Sequence, residues 1–332
     1  MAEFRKDLLL DRWTIISTER AKRPQPGLND AEFKTGYPCP FCAGNEAMTP
    51  APVLVYSGDE SESSNASWLV RVVPNKYPAV FDDGEWVRDT NGTYDSAKGI
   101  GVHEVLIESP HHVLNSQELS QNQFEKILRA YRDRIVHFQK DKRWRYVLIY
   151  KNQGLQGGAT LEHAHSQIIA LPMIPKEVQE EIAKAKIHHE RYACCAHCRL
   201  LEQEMHDKDR IVAESEHFIV LCPFASRFPY ETWILPKKHE SRFEAASPQE
   251  QIDLAGTLRE TLLRLARRLK NPPFNYIIHS HPLQENDSDY YHWHMEILPR
   301  LGHVAGFEWG SGMFINPVAP ENAARILRDA AP

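Results

Sequence analysis

The sequence predicts an α+β protein built by internal duplication: two domains, 1–180 and 181–332, each an antiparallel sheet with packed helices. Three observations predict it. A Cys-x-x-Cys pair occurs twice, as Cys39-Pro40-Phe41-Cys42 and Cys195-Ala196-His197-Cys198. Each pair is followed downstream by a matching histidine and then by a His-x-His, first His112 in ESPHHV and His163-Ala164-His165, then His239 in LPKKHE and His292-Trp293-His294. The two intervals nearly agree, 163 − 112 = 51 and 292 − 239 = 53 residues. In both halves a helical pattern, a β-rich run and a loop lead into the His-x-His segment, which is how a duplicated unit shows itself.

The elements follow in order. Residues 120–141 place Phe124, Ile127, Leu128, Tyr131, Ile135 and Phe138 on one helical face. WRYVLIY at 144–150 reads as a strand, and the segment from His163 as another. Residues 248–270 repeat the helix with Ile252, Leu254, Leu258, Leu262, Leu265 and Leu269, and FNYIIH at 274–279 repeats the strand. Runs of strands with packed helices give α+β architecture. At 332 residues the chain is also long for one core, which favours two units.

Bulk properties exclude several classes. Hydrophobic residues make up 42% and charged residues 25%, ordinary for a globular chain. The formal net charge of −6 gives no basic surface for nucleic acid. No apolar run reaches the roughly 18 residues of a membrane span. MAEFRKDLLLDRW lacks a signal-peptide pattern, so a cytoplasmic location with reduced cysteines is expected. In that setting a Cys-x-x-Cys is a redox pair or half a zinc site. The turn-rich surroundings of Cys39 and the paired histidines favour zinc. Two Cys₂His₂ sets are predicted, Cys39, Cys42, His112 and His163, and Cys195, Cys198, His239 and His292, for two Zn²⁺ per chain. Four protein ligands leave no open position, so these metals would be structural or orienting.

The stretch LEHAHSQ at 161–167 carries the chemistry. In an extended segment His163, His165 and Gln167 would project on one face. The loop before it, KNQGLQGGATLE, has three glycines whose backbone could wrap an anion, or it is a plain hairpin loop. A phosphate held there would lie beside an imidazole, and a neutral imidazole is a competent nucleophile near pH 7.

At these residues the chain resembles the galactose-1-phosphate uridylyltransferase family of the histidine-triad superfamily, and most closely its branch with plant ADP-glucose phosphorylase. The resemblance rests on His163-Ala164-His165-Ser166-Gln167, on DRWTIISTERAKRP at 11–24, CPFC at 39–42, PNKYPA at 74–79, ESPHH at 108–112 and HWHMEILP at 292–299. The branch adds the second Cys-x-x-Cys, WILPKKH, NPPFNYIIH and GFEWGSGMFINPVAPE. It implies two tandem histidine-triad-like domains and a nucleotidyltransferase working by double displacement. His165 matches the residue that becomes nucleotidylated. His163 matches a zinc ligand whose carbonyl steadies the imidazole, and Gln167 a residue bonding phosphoryl oxygen. Asn152, Gly158 and Thr160 match phosphate contacts. Arg20 and Arg23 match arginines near the site, and Asn75 the nucleoside segment. Glu181 matches a ligand of a second metal in some members, with His281, His292 and His294 as partners. A homodimer is implied as well.

The chain departs from the family where Asn75-Lys76 replaces Asn-Asp, and where the sugar-gripping lysine and glutamine near the C-terminus have no counterpart, although Glu308 is kept. Three readings follow. The first is exchange of UMP between UDP-glucose and galactose-1-phosphate. The second is an ADP-glucose phosphorylase using inorganic phosphate. The third is a zinc-stabilised binding module without catalysis, which the acidic balance and the intact His163–Gln167 motif oppose.

Overall fold

A computed structural model describes residues 2–6, 13–17, 38–57 and 68–330. Its centre is a ten-stranded antiparallel sheet. The first half supplies β3 (Leu54–Tyr56), β4 (Val70–Pro74), β7 (Val102–Ile107), β8 (Tyr146–Gln153) and β9 (His165–Leu171). The second half supplies β10 (Ile211–Glu214), β11 (Phe218–Leu221), β12 (Thr232–Pro236), β13 (Phe274–His279) and β14 (His294–Pro299). From edge to centre the strands run β3-β4-β7-β9-β8, then outward again β13-β14-β12-β11-β10. The second list repeats the first in reverse, so the duplication is visible strand for strand.

The sequence led us to expect two sheets; the structure joins them edge to edge. Strand β8 pairs with β13 from Gln153↔Phe274 to Ile149↔Ile278. Both strands are rich in β-branched and aromatic residues, and an unpaired inner edge would expose their backbone polar groups to solvent or to other chains. Pairing them satisfies both edges at once. A smaller antiparallel sheet, in the order β2-β1-β6-β5, comprises β1 (Ala2–Lys6), β2 (Trp13–Ser17), β5 (Arg88–Asn91) and β6 (Tyr94–Lys98).

Two long helices cover one face of the large sheet. In α1 (Gln121–Gln139) the predicted apolar positions Phe124, Ile127, Leu128, Tyr131, Ile135 and Phe138 are all buried. Ser120 starts the helix by accepting the backbone N–H of Gln123. The matching helix α4 (Pro248–Leu269) begins with a Ser247–Glu250 capping box and Pro248 at its first position, where a missing N–H costs nothing. It ends at Lys270 and Asn271, both at positive φ, ahead of Pro272 and Pro273. Side chains of α1 and α4 pack with Ile149, Ile168, Ile278, Met295 and Ile297 into one core shared by both halves. Helix α2 (Lys176–Tyr192) carries the chain from one half to the other and contains the expected division at 180. It is followed by α3 (Ala196–Asp207), and two short helices, α5 (Gly306–Ser311) and α6 (Pro320–Arg328), lie near the C-terminus.

Candidate active site and metal centres

The opposite face of the sheet carries the histidines. Strand β9 begins at His165 and pairs with β7 and β8, so His165 and Gln167 share its open face. His163 lies outside the strand, in a bend, and does not continue the row as expected. It is turned toward the cysteines. Its Nε2–H donates to the Ser109 carbonyl at 2.8 Å, which leaves Nδ1 facing Cys39 Sγ at 3.5 Å and Cys42 Sγ at 3.6 Å. His112 Nδ1 lies 3.3 Å from Cys42 Sγ. The four predicted side chains are brought together, their ligating atoms all within 4.8 Å of one another. Tetrahedral zinc would set sulfur and nitrogen roughly 3.5 Å apart, so the donor set and its spacing fit that metal. Burial pushes the His163 imidazole down to about 4, which keeps it neutral, as a ligand must be.

The bend beside the cysteines positions the next histidine. The His165 Nδ1–H donates to the His163 carbonyl at 2.8 Å, which fixes the ring and its tautomer and leaves Nε2 as the unprotonated nitrogen. Phe41, between the two cysteines, packs its ring 5.3 Å from that of His165. Gln167 Oε1 accepts from the Tyr150 hydroxyl at 3.0 Å and from His103 Nε2 at 2.9 Å. His103 can donate there because its Nδ1 takes the Ala79 backbone N–H. Asn75 joins this network, its Nδ2 3.1 Å from His103 Nε2 and its Oδ1 accepting from the Tyr77 N–H.

The glycine loop is set against the second half. Asn275 on β13 donates to Asn152 Oδ1 at 2.8 Å and to the Gly157 carbonyl at 2.7 Å. With its oxygen engaged, Asn152 has its N–H₂ group as the donating end. Gly157 packs so closely on β13 that a Cβ there would lie 2.8 Å from the Phe274 carbonyl, and Gly158 has φ +85°. Thr160 follows in the same loop. Arg20 and Arg23 lie outside the described residues. Glu308 sits in α5, where its carboxylate accepts the Ala305 N–H as a helix cap. Among the described residues no contact joins Glu308 to the His163–Gln167 row, so its expected role in substrate binding has no local support within one chain.

The second half reproduces the frame. His292 Nε2 donates to the Pro236 carbonyl at 3.0 Å and turns Nδ1 toward Cys198 at 3.5 Å and Cys195 at 4.0 Å. His239 Nδ1 lies 3.4 Å from Cys198. Cys195, Cys198, His239 and His292 thus form a second close set of the predicted composition. His294 Nδ1–H donates to the His292 carbonyl at 3.1 Å, as His165 does to His163. Glu296 stands where the first half has Gln167. A carboxylate accepts only, whereas an amide can also donate to a phosphoryl oxygen.

A buried polar cluster surrounds His294. His279 stacks on it with ring centroids 4.5 Å apart, and His279 Nδ1 meets Glu181 at 3.1 Å. Burial opposes charge on both, yet each holds the other charged: the Glu181 carboxyl is kept down at about 2 and the His279 imidazole raised to about 10, with Glu296 contributing. The expected partner of Glu181, His281, is displaced from this cluster. It lies beyond the end of β13, where its backbone N–H bonds Ser241 and its Nδ1 faces Arg242 at 3.4 Å. His292 is also absent from it, being turned to the cysteines. Glu181 with His197 and His294, and His279 with His294 and Glu296, are two further groups whose donors converge. His103, Tyr150, Asn275 and His279 were not singled out in the sequence. Only His279, two residues before His281, carried a signal that could have found it.

Comparison with known proteins agrees with this geometry. The family described as galactose-1-phosphate uridyl transferase matches over nearly the whole chain, its N-terminal domain at residues 1–175 and its C-terminal domain at 172–328. An ADP-glucose phosphorylase of Arabidopsis thaliana is 36% identical, covering 99% of this chain and 93% of its own. A galactose-1-phosphate uridylyltransferase of Thermotoga maritima is 31% identical over 99% and 98%. Among solved structures, the Arabidopsis ADP-glucose phosphorylase with bound ADP-glucose superposes with a TM-score of 0.76 at 34% identity over 99% of both chains. A uridylyltransferase superposes at 0.82 with 28% identity over 99% and 98%.

Proposed function

Since the chain belongs to the galactose-1-phosphate uridyl transferase family, we propose that it moves a nucleotidyl group in two displacements, with His165 as the nucleophile. The observation that carries this reading is the His165 Nδ1–H bond to the His163 carbonyl. It aims Nε2 outward before attack. It also meets the positive charge that appears on the ring once Nε2 has bonded to phosphorus, so it strengthens as the intermediate forms. His165 Nε2 attacks the α-phosphorus of a sugar nucleotide, the bond to the sugar phosphate breaks, and hexose-1-phosphate leaves with the electron pair. A second phosphate then attacks the phosphoramidate and returns the electron pair to Nε2. Gln167 and Asn152 donate amide N–H groups to the phosphoryl oxygens, and the loop around Gly158 and Thr160 supplies close backbone approach.

Cys39, Cys42, His112 and His163 would hold zinc beside this strand, and Cys195, Cys198, His239 and His292 a second ion. Bound there, the metal supplies structural anchoring, since four protein ligands complete its shell. For substrate, ADP-glucose with phosphate as acceptor is the reading we favour. The 36% identical relative bears that activity in its name, and Asn75-Lys76 departs from the family's Asn-Asp. The 31% identical uridylyltransferase supports the second reading, UMP exchange between UDP-glucose and galactose-1-phosphate. Family membership is also the ground for proposing a homodimer. Incubation with ADP-glucose plus phosphate should release glucose-1-phosphate and ADP. Turnover of UDP-glucose with galactose-1-phosphate, and none of ADP-glucose, would reverse the choice.

A further inference from the structure

Beneath the nucleophile, on the helix side of the sheet, lies a fully buried ion pair. Lys151 on β8 and Glu108, just after β7, are each 1% exposed in their side chains. Lys151 Nζ donates to both carboxylate oxygens at 2.9 Å and to the His165 carbonyl at 3.0 Å. Those three bonds use all the donors of an ammonium. Glu108 also accepts the Ser116 hydroxyl at 2.9 Å, and its backbone N–H donates to the Ala164 carbonyl at 3.1 Å. Both members adjoin functional segments. Lys151 precedes Asn152 and the glycine loop. Glu108 precedes Ser109, whose carbonyl orients His163, and stands four residues before His112.

A buried pair of this kind is poor value for stability, because desolvating two charges cancels much of their attraction. The duplication offers an internal control. Tyr150 opposes Gln167 on β9, and Ile277 opposes Glu296 on β14, so Ile278 is the counterpart of Lys151. The Ser109 and Pro236 carbonyls take the same bond, from His163 and His292, and the β12–β14 ladder runs to Ile234, so the stretch matching Glu108 is Leu235-Pro236, which carries no carboxylate. Ile278 is 1% exposed and Pro236 is buried. The same scaffold therefore accepts apolar residues at both positions in the half where Glu296 has replaced Gln167. The fold does not require the pair; the half with the complete His-x-His-x-Gln motif has it.

We infer that Lys151 and Glu108 are positioning residues for His165: the pair ties the phosphate loop, the metal-ligand segment and the nucleophile's main chain into one rigid unit. This rests on His165 being the nucleophile. The test is single-turnover labelling with an α-³²P sugar nucleotide, in the metal-loaded full chain, on wild type, Lys151→Met and the double variant Lys151→Met/Glu108→Leu. Lys151→Met strands a buried carboxylate and should lower the melting temperature as well as the rate. The double variant should recover the melting temperature and zinc content. Its labelling rate should stay at least tenfold below wild type at saturating nucleotide, with the nucleotide Kd within threefold. A double variant that regains both stability and rate would overturn the inference, leaving the pair a purely structural element. Absence of label from wild type would instead sink the nucleophile assignment itself.

Discussion

At the scale of single residues, His163 and His165 stand two apart and make different contacts. His163 faces the cysteines through Nδ1, while His165 leans on its carbonyl. His165→Ala should keep zinc and fold but give no covalent label, with turnover down many thousand-fold, because losing a covalent nucleophile closes the route. His163→Ala should lose zinc, stability and activity together; elemental analysis of the two variants separates them. The grouping of His163 with Cys39, Cys42 and His112 was legible in the spacing, and the role proposed for His165 came from its motif. The residues that set the site from behind were not legible. Lys151 sits in a strand pattern where a lysine reads as solvent-facing, and its partner Glu108 is 43 residues away. His103 and Tyr150 gain meaning only when β7, β8 and β9 come side by side. The exchange of His281 for His279 has the same origin. Two histidines two apart look equivalent until the strand is seen to end between them.

At the scale of elements, the glycine loop depends on a strand from the other half. Asn275→Ala removes the two bonds that hold Asn152 and Gly157. At about 1 kcal/mol per hydrogen bond, the loop should lose its set position, with KM for the sugar nucleotide rising several-fold and zinc content unchanged. An unchanged KM would show that the loop is held by its own turns. The Cys-x-x-Cys turns are also comparable elements with unequal consequences. Cys39→Ala should release zinc and abolish labelling, because the metal proposed there would anchor the segment that carries His163. Cys195→Ala should release the other zinc and lower the melting temperature, while its labelling rate falls far less. Equal losses of rate would mean that the second metal also supports the catalytic strand. Helices α1 and α4 were readable in extent and, apart from Ile252, which is exposed, in their buried faces, since each has an amphipathic face and a serine cap. The β8–β13 pairing was not readable, because nothing in either strand names its neighbour.

At the scale of the whole molecule, two repeats share one sheet and one core. The Tyr131 hydroxyl of α1 meets the Tyr276 hydroxyl of β13 at 2.5 Å and donates to Ser166 on β9, all fully buried. Neither half could leave without exposing β8 or β13 and the faces of α1 and α4. Metal-loaded protein should therefore unfold in one calorimetric transition, with calorimetric and van't Hoff enthalpies in agreement. Two resolved transitions would show that the seam is weaker than its contacts imply.

The matched carbonyl bonds of His165 and His294 bear on counting and on inheritance. Doubling a strand pair makes one catalytic copy redundant, and a redundant copy can exchange an amide for a carboxylate while still completing the sheet. Covalent capacity should then be odd rather than paired: exhaustive labelling without acceptor should saturate at one nucleotidyl group per chain. A second equivalent, mapped to His294, would mean that the duplicate had kept its trade.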